Sequence, residues 1–136
     1  MEIVIYQDQY QDQVIDLILP IQQQEFGSSI TLADQPDLLE IPRVYQQGKG
    51  NFWVALEDGR VIGTIGAIAI DDKTLILRKM FVNVNYRGKD FGIGQGLMNT
   101  LLSWARKEQI REIYLGTIEA FKAAQGANGK RWSCRF

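Results

Sequence analysis

The chain has 136 residues, which is enough for one domain with a hydrophobic core and too few for two. Its apolar content of 46% and charged content of 23% are typical of a globular protein, and its net charge of −1 excludes the basic footprint of a nucleic-acid-binding or membrane-surface protein. The absence of histidine excludes Ser-His-Asp and Cys-His triads and His-ligated zinc.

Three features of the sequence bear on its compartment. No run reaches the ~20 apolar residues of a membrane-spanning helix, and the first residues lack the basic segment that opens a signal peptide. The single cysteine, Cys134, has no partner for an internal disulfide. We therefore expect a cytoplasmic protein without a metal site.

The first third of the chain predicts one strand and two helices. Residues 2–7 alternate between apolar and polar and predict a short strand. Apolar residues then recur at helical spacing, at Val14, Leu17, Ile18 and Ile21. This stripe predicts an amphipathic helix that Pro20 kinks or ends. Residues 33–50 predict a second, shorter helix with a break at Pro42 and an end near Gly48.

The remaining elements predict a mixed sheet. Apolar runs on either side of Asp58-Gly59 indicate a β-hairpin, and a third strand at about 74–84 completes an antiparallel meander. A helix follows, and residues 111–118 predict another strand that is reached by a parallel crossover. The expected fold class is α/β, with a mixed, mostly antiparallel central sheet flanked by helices. The expected order is β-α-α-β-β-β-α-β-α, in a single domain of residues 1–136.

A glycine-rich stretch separates the third hairpin strand from the helix. Residues 85–102 read NYRGKDFGIGQGLMNTLL, with glycines at 88, 92, 94 and 96. Glycine within a helix costs roughly 0.5–1 kcal/mol relative to alanine, so several glycines at the start of a helix suggest close approach of a ligand to the backbone. A helix N-terminus binds anions, and Arg87 and Lys89 add cations beside it. A ligand with phosphate groups is the resulting hypothesis.

Two common phosphate motifs do not match this stretch. A Walker loop requires GxxxxGK[ST], and no glycine here is followed by Lys-Ser or Lys-Thr. A dinucleotide-binding fingerprint would require glycine at position 97, which is Leu97.

The stretch instead resembles the pyrophosphate loop of the GNAT superfamily of acyl-CoA-dependent N-acyltransferases. In that family the motif Q/R-x-x-G-x-G/A follows a strand that ends in an aromatic–Val pair and precedes a Leu-rich helix. Here Lys89-x-x-Gly92-x-Gly94 occupies the core of the motif, and Arg87-Gly88 precedes it as in many relatives. The resemblance extends over residues 2–125 and includes the order of strands and helices. Lysine at the first motif position is a mild departure.

The resemblance implies acetyl-CoA as co-substrate, with direct attack on its thioester by the amine of a second substrate. The pyrophosphate would lie on Arg87, Gly88, Lys89, Gly92, Ile93, Gly94 and Gln95. The pantetheine amides would pair with the backbone of Met80, Phe81 and Val82, and an N–H near Val82 would stabilise the oxyanion. The thioester would lie where strands 75–84 and 111–117 separate. Arg78 and Lys79 alternate along the strand, so one of them should face ligand or substrate.

The general base and general acid of the family are not recognisable in this chain. Relatives often carry Glu where this sequence has Ile76. Four acidic residues lie in the helical region that forms the acceptor side in relatives, at Glu25, Asp34, Asp37 and Glu40. They either favour a cationic amine and take its proton through water, or they are ordinary solvated charges. Trp53 and Trp104 occupy core-like positions and are expected to pack.

The last residues depart from the family pattern. Residues 126–136 read GANGKRWSCRF where relatives continue a helix through a Tyr, whose place Asn128 takes, and add two strands. The change of composition at Gln125/Gly126 suggests a shifted reading frame or a truncation, and a natural short variant is the alternative. Two missing strands would expose the edge at 111–117, which favours a homodimer or cover from Trp132 and Phe136.

Three functions remain open from the sequence. The first is an N-acetyltransferase acting on a primary amine of a small molecule or peptide. The second is a catalytically impaired or truncated relative that binds acyl-CoA. The third is a regulatory module that binds phosphate or nucleotide and shares only the glycine loop.

Overall fold

A five-stranded sheet forms the centre of the computed structural model, which describes residues 1–25, 27, 29–88 and 92–115. The strands are β1 (Glu2–Ile5), β2 (Asn51–Glu57), β3 (Arg60–Asp71), β4 (Thr74–Val82) and β5 (Glu112–Leu115), and they neighbour one another in chain order. The pairs β1–β2, β2–β3 and β3–β4 are antiparallel, and the pair β4–β5 is parallel. The predicted mixed, mostly antiparallel sheet is confirmed.

Helices cover both faces of this sheet. α1 (Gln11–Pro20), α2 (Ile41–Val44) and the aromatic residues near them pack on one face. α3 (Ile93–Lys107) packs on the other face through a buried stripe at helical spacing, at Ile93, Leu97, Leu101 and Ala105. Trp53 and Trp104 meet edge to face at 5.8 Å in this second core, as expected of packing residues.

The turns around the sheet follow local backbone chemistry. Asp58 and Gly59 both have positive φ, 52° and 77°, as a type I′ hairpin turn requires. Pro20 is the last α-helical residue of α1, and the chain continues as a π-helical turn, Ile21–Glu25.

The region of the second predicted helix folds differently from the expectation. Two 3-10 turns, Leu32–Asp34 and Pro36–Leu39, precede the short α2. Pro42 does not break this helix, because it lies in the first turn, where its missing N–H has no intrahelical partner to lose. The break in the predicted helix falls two residues before Pro42, at Glu40, and α2 ends at Val44 and not near Gly48.

One predicted strand is shorter than expected, and the end of another lies outside the described residues. β4 ends at Val82 and is followed by a 3-10 turn, Val84–Tyr86, so the strand is shorter than the predicted 74–84. β5 is Glu112–Leu115. The last predicted helix and the tail at 126–136, with Asn128, Trp132, Cys134 and Phe136, lie outside the described residues. Within the described ranges, no helix combines the length and the apolar character needed to cross a bilayer.

Gly66 on β3 provides a test of the α1-side core. A Cβ at this position would lie 2.7 Å from Cδ2 of Phe52 and 3.0 Å from Cδ1 of Tyr45, both rings being fully buried. We expect Gly66→Ala to lower the free energy of unfolding by roughly 1–3 kcal/mol because the rings must move. Gly94→Ala is the matched control: its Cβ would meet nothing closer than 3.8 Å, so helix propensity should make it neutral or stabilising. Equal denaturant midpoints for the two variants would contradict this packing.

Candidate functional site

β4 contains a bulge that no pattern in the sequence indicates. Thr64 lies opposite Phe81 and Gly66 lies opposite Arg78, so two residues of β4, Lys79 and Met80, face one residue of β3. Lys79 has φ 57°, the left-handed conformation that is uncommon outside glycine. The Thr64 hydroxyl donates a hydrogen bond of 2.7 Å to the Lys79 carbonyl. The bulge therefore interrupts the alternation of side chains that was expected along this strand.

Beyond the bulge, the backbone of β4 presents polar groups along an edge that no strand among the described residues covers, here called the open edge. The Asn83 N–H donates to the Ile62 carbonyl at 2.8 Å, which fixes the side of β4 that pairs with β3. Because backbone groups alternate along a strand, Met80 and Val82 direct their N–H and C=O groups to the opposite edge. Among the described residues, β5 pairs with β4 only over Thr74–Leu77, before this edge begins.

The N-terminus of α3 lies beside the same edge. Gly92 is the N-cap residue with φ 64°, and as a glycine it has no side chain that could accept a hydrogen bond from the N–H groups of the first turn. The first-turn N–H groups, from Ile93 to Gln95, thus lack intrahelical acceptors and carry the positive end of the helix dipole. Gly88 and Gly92 both need positive φ, whereas a Cβ at Gly96 would come within 3.1 Å of Ile3 Cδ1. Close packing on β1 explains Gly96, so only part of the glycine pattern concerns a ligand.

These elements enclose a cavity of about 960 Å³. Its lining includes most of the residues that the sequence assigned to the coenzyme, namely Met80, Phe81, Val82, Arg87, Gly88, Gly92, Gly94 and Gln95. The Ile93 side chain is buried in the core, which leaves only its N–H available, and Lys89 lies outside the described residues. Gly96 of the glycine stretch also lines the cavity. Four further lining residues were not assigned to the coenzyme, because no motif marks their positions: Ile21, Glu25, Tyr86 and Asn99.

Arg87 makes three hydrogen bonds at the mouth of this cavity. Its Nη1 and Nη2 donate to the two carboxylate oxygens of Glu25, at 2.5 and 2.9 Å, and its Nε donates to the Val82 carbonyl at 2.8 Å. The hydrogen bond from Arg87 lowers the pKa of the Glu25 carboxyl below its ordinary value. The sequence predicted Arg87 as a cation beside the glycine loop, and the structure shows it paired with an acid 62 positions away.

Lys79 takes part in a buried polar network on the α1 side of the sheet. Its Nζ donates to Gln35 Oε1 at 2.5 Å and lies 3.9 Å from Asp37 Oδ2, and the Lys79 and Asp37 side chains are both about nine-tenths buried (7% and 11% exposed). The Tyr45 hydroxyl donates to the same Asp37 oxygen at 2.6 Å, and Gln22 bonds to Gln35. Burial lowers the pKa of the Lys79 ammonium and raises that of the Tyr45 hydroxyl.

The four candidate acids of the acceptor side therefore lie in different environments, and Glu25 is the one that lines the cavity. Asp37 is buried in the Lys79 network and is not a solvated surface charge. Asp34 caps a 3-10 turn with Thr31, and Glu40 pairs with Arg43 on the surface, as ordinary surface charges do. Ile76, where relatives often carry Glu, is fully buried in the sheet and offers no proton acceptor. Within the described part of the chain, no group of three or more His, Cys, Asp or Glu side chains is arranged to hold a metal ion.

Comparison with known proteins agrees with this fold. The model of the Acetyltransferase (GNAT) family matches residues 15–127. Human N-acetyltransferase 8B is 31% identical over 101 residues, which are 71% of this chain and 44% of that protein, so the chain spans less than half of this relative's length. A crystal structure of a GNAT-family acetyltransferase from Staphylococcus aureus Mu50 superposes with a TM-score of 0.80 at 38% identity, over 92% of this chain and 78% of that one. A Brucella melitensis GNAT acetyltransferase in complex with acetyl-CoA shares the fold, with a TM-score of 0.74 at 19% identity, over 99% and 87% of the two chains.

Proposed function

Since the chain belongs to the GNAT acetyltransferase family, we propose that it transfers the acetyl group of acetyl-CoA to a primary amine of a small molecule or peptide. One observation carries the proposal: the open edge of β4 and the N-terminus of α3 line the same cavity. An extended chain of amides that ends in a diphosphate has the chemistry that these two surfaces complement.

The directions of the backbone N–H and C=O groups suggest which residues bind each part of the coenzyme. The N–H groups of Ile93, Gly94 and Gln95 would bind the pyrophosphate, with Arg87 and Lys89 as its cations. Gly88 and Gly92 allow the loop to turn there with positive φ. Met80 and Val82 would pair with the pantetheine amides as a neighbouring strand would, with Phe81 holding that strand against β3.

The reaction that we propose is direct transfer in a ternary complex. The amine nitrogen attacks the thioester carbon, and the new C–N bond converts the carbonyl oxygen to an oxyanion. The C=O bond then re-forms as the C–S bond breaks, and the proton lost by the amine ends on the sulfur, so the coenzyme leaves as a thiol. We assign the stabilisation of the oxyanion to the Val82 N–H, which points to the open edge. No side chain of the described residues is assigned as general base or acid.

Ile76 favours a second candidate function, binding of acyl-CoA without efficient transfer. A fully buried aliphatic side chain stands where relatives often place the carboxylate that removes the amine proton. An amine that is already neutral at the working pH could attack without such a group and give its proton to the departing thiolate or to water. The cytoplasmic location and the homodimer remain predictions, to be tested by fractionation and by light scattering.

Titration with acetyl-CoA tests the proposal directly. We expect acetyl-CoA to raise the melting temperature, because a ligand at about 100 times its Kd stabilises the native state by roughly 2.7 kcal/mol, and we expect ATP to have little effect. Release of coenzyme thiol in the presence of a panel of primary amines then separates transfer from binding alone. A folded chain that binds neither acetyl-CoA nor CoA would contradict the proposed function.

A further inference from the structure

We propose that Glu25 is a positioning residue of the acetyl-CoA site: through Arg87 it sets the affinity for the coenzyme, because its carboxylate competes with the coenzyme for the guanidinium. This inference rests on the proposed function. It is carried by the three hydrogen bonds of Arg87 and by the position of both residues in the lining of the cavity.

The geometry of the guanidinium shows why the interactions exclude one another. A guanidinium offers two edges for bidentate recognition of phosphate: one with both Nη atoms, and one with Nε and a single Nη. Glu25 occupies the first edge, and the Val82 carbonyl takes the Nε of the second. A diphosphate can therefore gain a bidentate contact with Arg87 only if Glu25 or Val82 gives up its own hydrogen bond.

The Val82 carbonyl holds the second edge of the guanidinium. It accepts from Arg87 Nε at 2.8 Å. A carbonyl oxygen has a second lone pair, so under the proposed function it can still pair with an amide N–H of the pantetheine. Val82 and Glu25 together therefore engage both bidentate edges of Arg87, and a bidentate contact with the pyrophosphate must displace one of these acceptors.

The charge of Glu25 also weakens binding of the coenzyme. Glu25 and Arg87 are the two charged residues among the described residues that line the cavity, so the acid cancels the cation beside the proposed pyrophosphate site. Glu25 is presented there by the π-helical turn that follows Pro20, and buried Ile21 at the start of that turn fixes its position. The side chains of Glu25 and Arg87 remain 33% and 39% exposed, so the coupling should be moderate.

Glu25→Gln is the direct test, because it removes the charge and keeps the size of the side chain. We expect the Kd of acetyl-CoA, measured calorimetrically, to fall by roughly two- to five-fold, the range typical of an exposed ion pair. The KM for acetyl-CoA should fall with it while kcat stays unchanged. Asp16→Asn is the matched control, since Asp16 lines a neighbouring cavity with Glu25, carries the same charge, and is not an ion-pair partner of Arg87.

A double-mutant cycle with Arg87→Ala separates this role from a general effect of charge. In the Arg87→Ala background Glu25→Gln should leave the Kd unchanged, because the guanidinium through which Glu25 acts is gone. Weaker binding by Glu25→Gln, an equal gain with Asp16→Asn, or a full gain in the Arg87→Ala background would each overturn the inference. These outcomes presuppose a wild-type chain that binds acetyl-CoA, whereas a wild-type chain that does not bind would overturn the proposed function itself.

Discussion

Replacement of Gly92 by aspartate is expected to abolish measurable binding of acetyl-CoA. Gly92 is the N-cap residue of α3, and a Cβ added to it would have no heavy atom of the described residues within 4 Å, so the Cβ itself causes no steric clash. It would lie beside the N–H groups assigned to the pyrophosphate. Two like charges about 4 Å apart repel by about 4 kcal/mol at an effective dielectric constant near 20, which corresponds to a loss of affinity of roughly a thousand-fold.

Two control variants separate the effect of the aspartate charge on the Kd from the effect of backbone strain. Gly92→Ala has the same φ of 64° without the charge, and we expect a loss of affinity of about ten-fold at most. Gly59→Asp introduces the same residue at another left-handed glycine, in the β2–β3 turn outside the cavity, and should lower stability without changing the Kd. Calorimetric titration of the three folded variants measures these differences. Wild-type affinity in Gly92→Asp would show that the pyrophosphate does not bind at this helix N-terminus.

The topology could be predicted because it depends on local patterns. The Asp58-Gly59 turn, the apolar stripe of α3 and the crossover to β5 are each determined by residues close together in sequence. The glycine stretch likewise marks a helix N-terminus through the backbone conformations that it permits. These signals were sufficient for the antiparallel meander, for the parallel crossover and for a helix that begins in the glycine stretch.

The rest of the site depends on contacts between distant residues. The bulge at Lys79 has no sequence signature, because a lysine in the left-handed conformation is held there by its partners, Gln35 and Asp37, more than 40 positions earlier in the chain. The pairing of Arg87 with Glu25 arises because the chain continues as a π-helical turn after Pro20. A rule based on strand alternation fails at such a bulge, since one extra residue moves the next side chain to the other face.

The Lys79 network gives the second large prediction, for stability. We expect Lys79→Met to lower the free energy of unfolding by about 3 kcal/mol, the low end of the range for removing one partner of a buried ion pair, because Nζ lies 3.9 Å from Asp37 Oδ2. The loss comes from the Asp37 carboxylate, which stays buried and keeps the hydrogen bond from the Tyr45 hydroxyl but loses the polar amino group beside it. An amine offers N–H donors to the carboxylate whether or not it is charged, and the Met thioether offers none. Urea denaturation of the wild type and the variant measures this difference.

The pH dependence separates the charge of Lys79 from its role as a polar partner of Asp37. Burial lowers the pKa of Lys79, so between this lowered value and the unfolded value near 10.4 the unfolded chain binds more protons than the native one. The contribution of Lys79 to stability therefore rises with pH in that window, and below it the buried ammonium carries its full desolvation cost. In Lys79→Met this rise should be absent. Burial raises the pKa of Tyr6 to about 12, which acts in the opposite sense above pH 10 in both proteins.

It follows that the ammonium charge alone is not what stabilises the bulge. Its burial is unfavourable, and the ion pair is retained because each charge compensates the other. Lys79→Met combined with Asp37→Asn should therefore recover most of the stability lost in Lys79→Met, because the amide oxygen of Asn still accepts from Tyr45 and no charge is left uncompensated. If the double variant is instead as unstable as the sum of the two single variants, the left-handed backbone of Lys79 and its hydrogen bond to Gln35, rather than charge compensation, hold β4 in its bulged form.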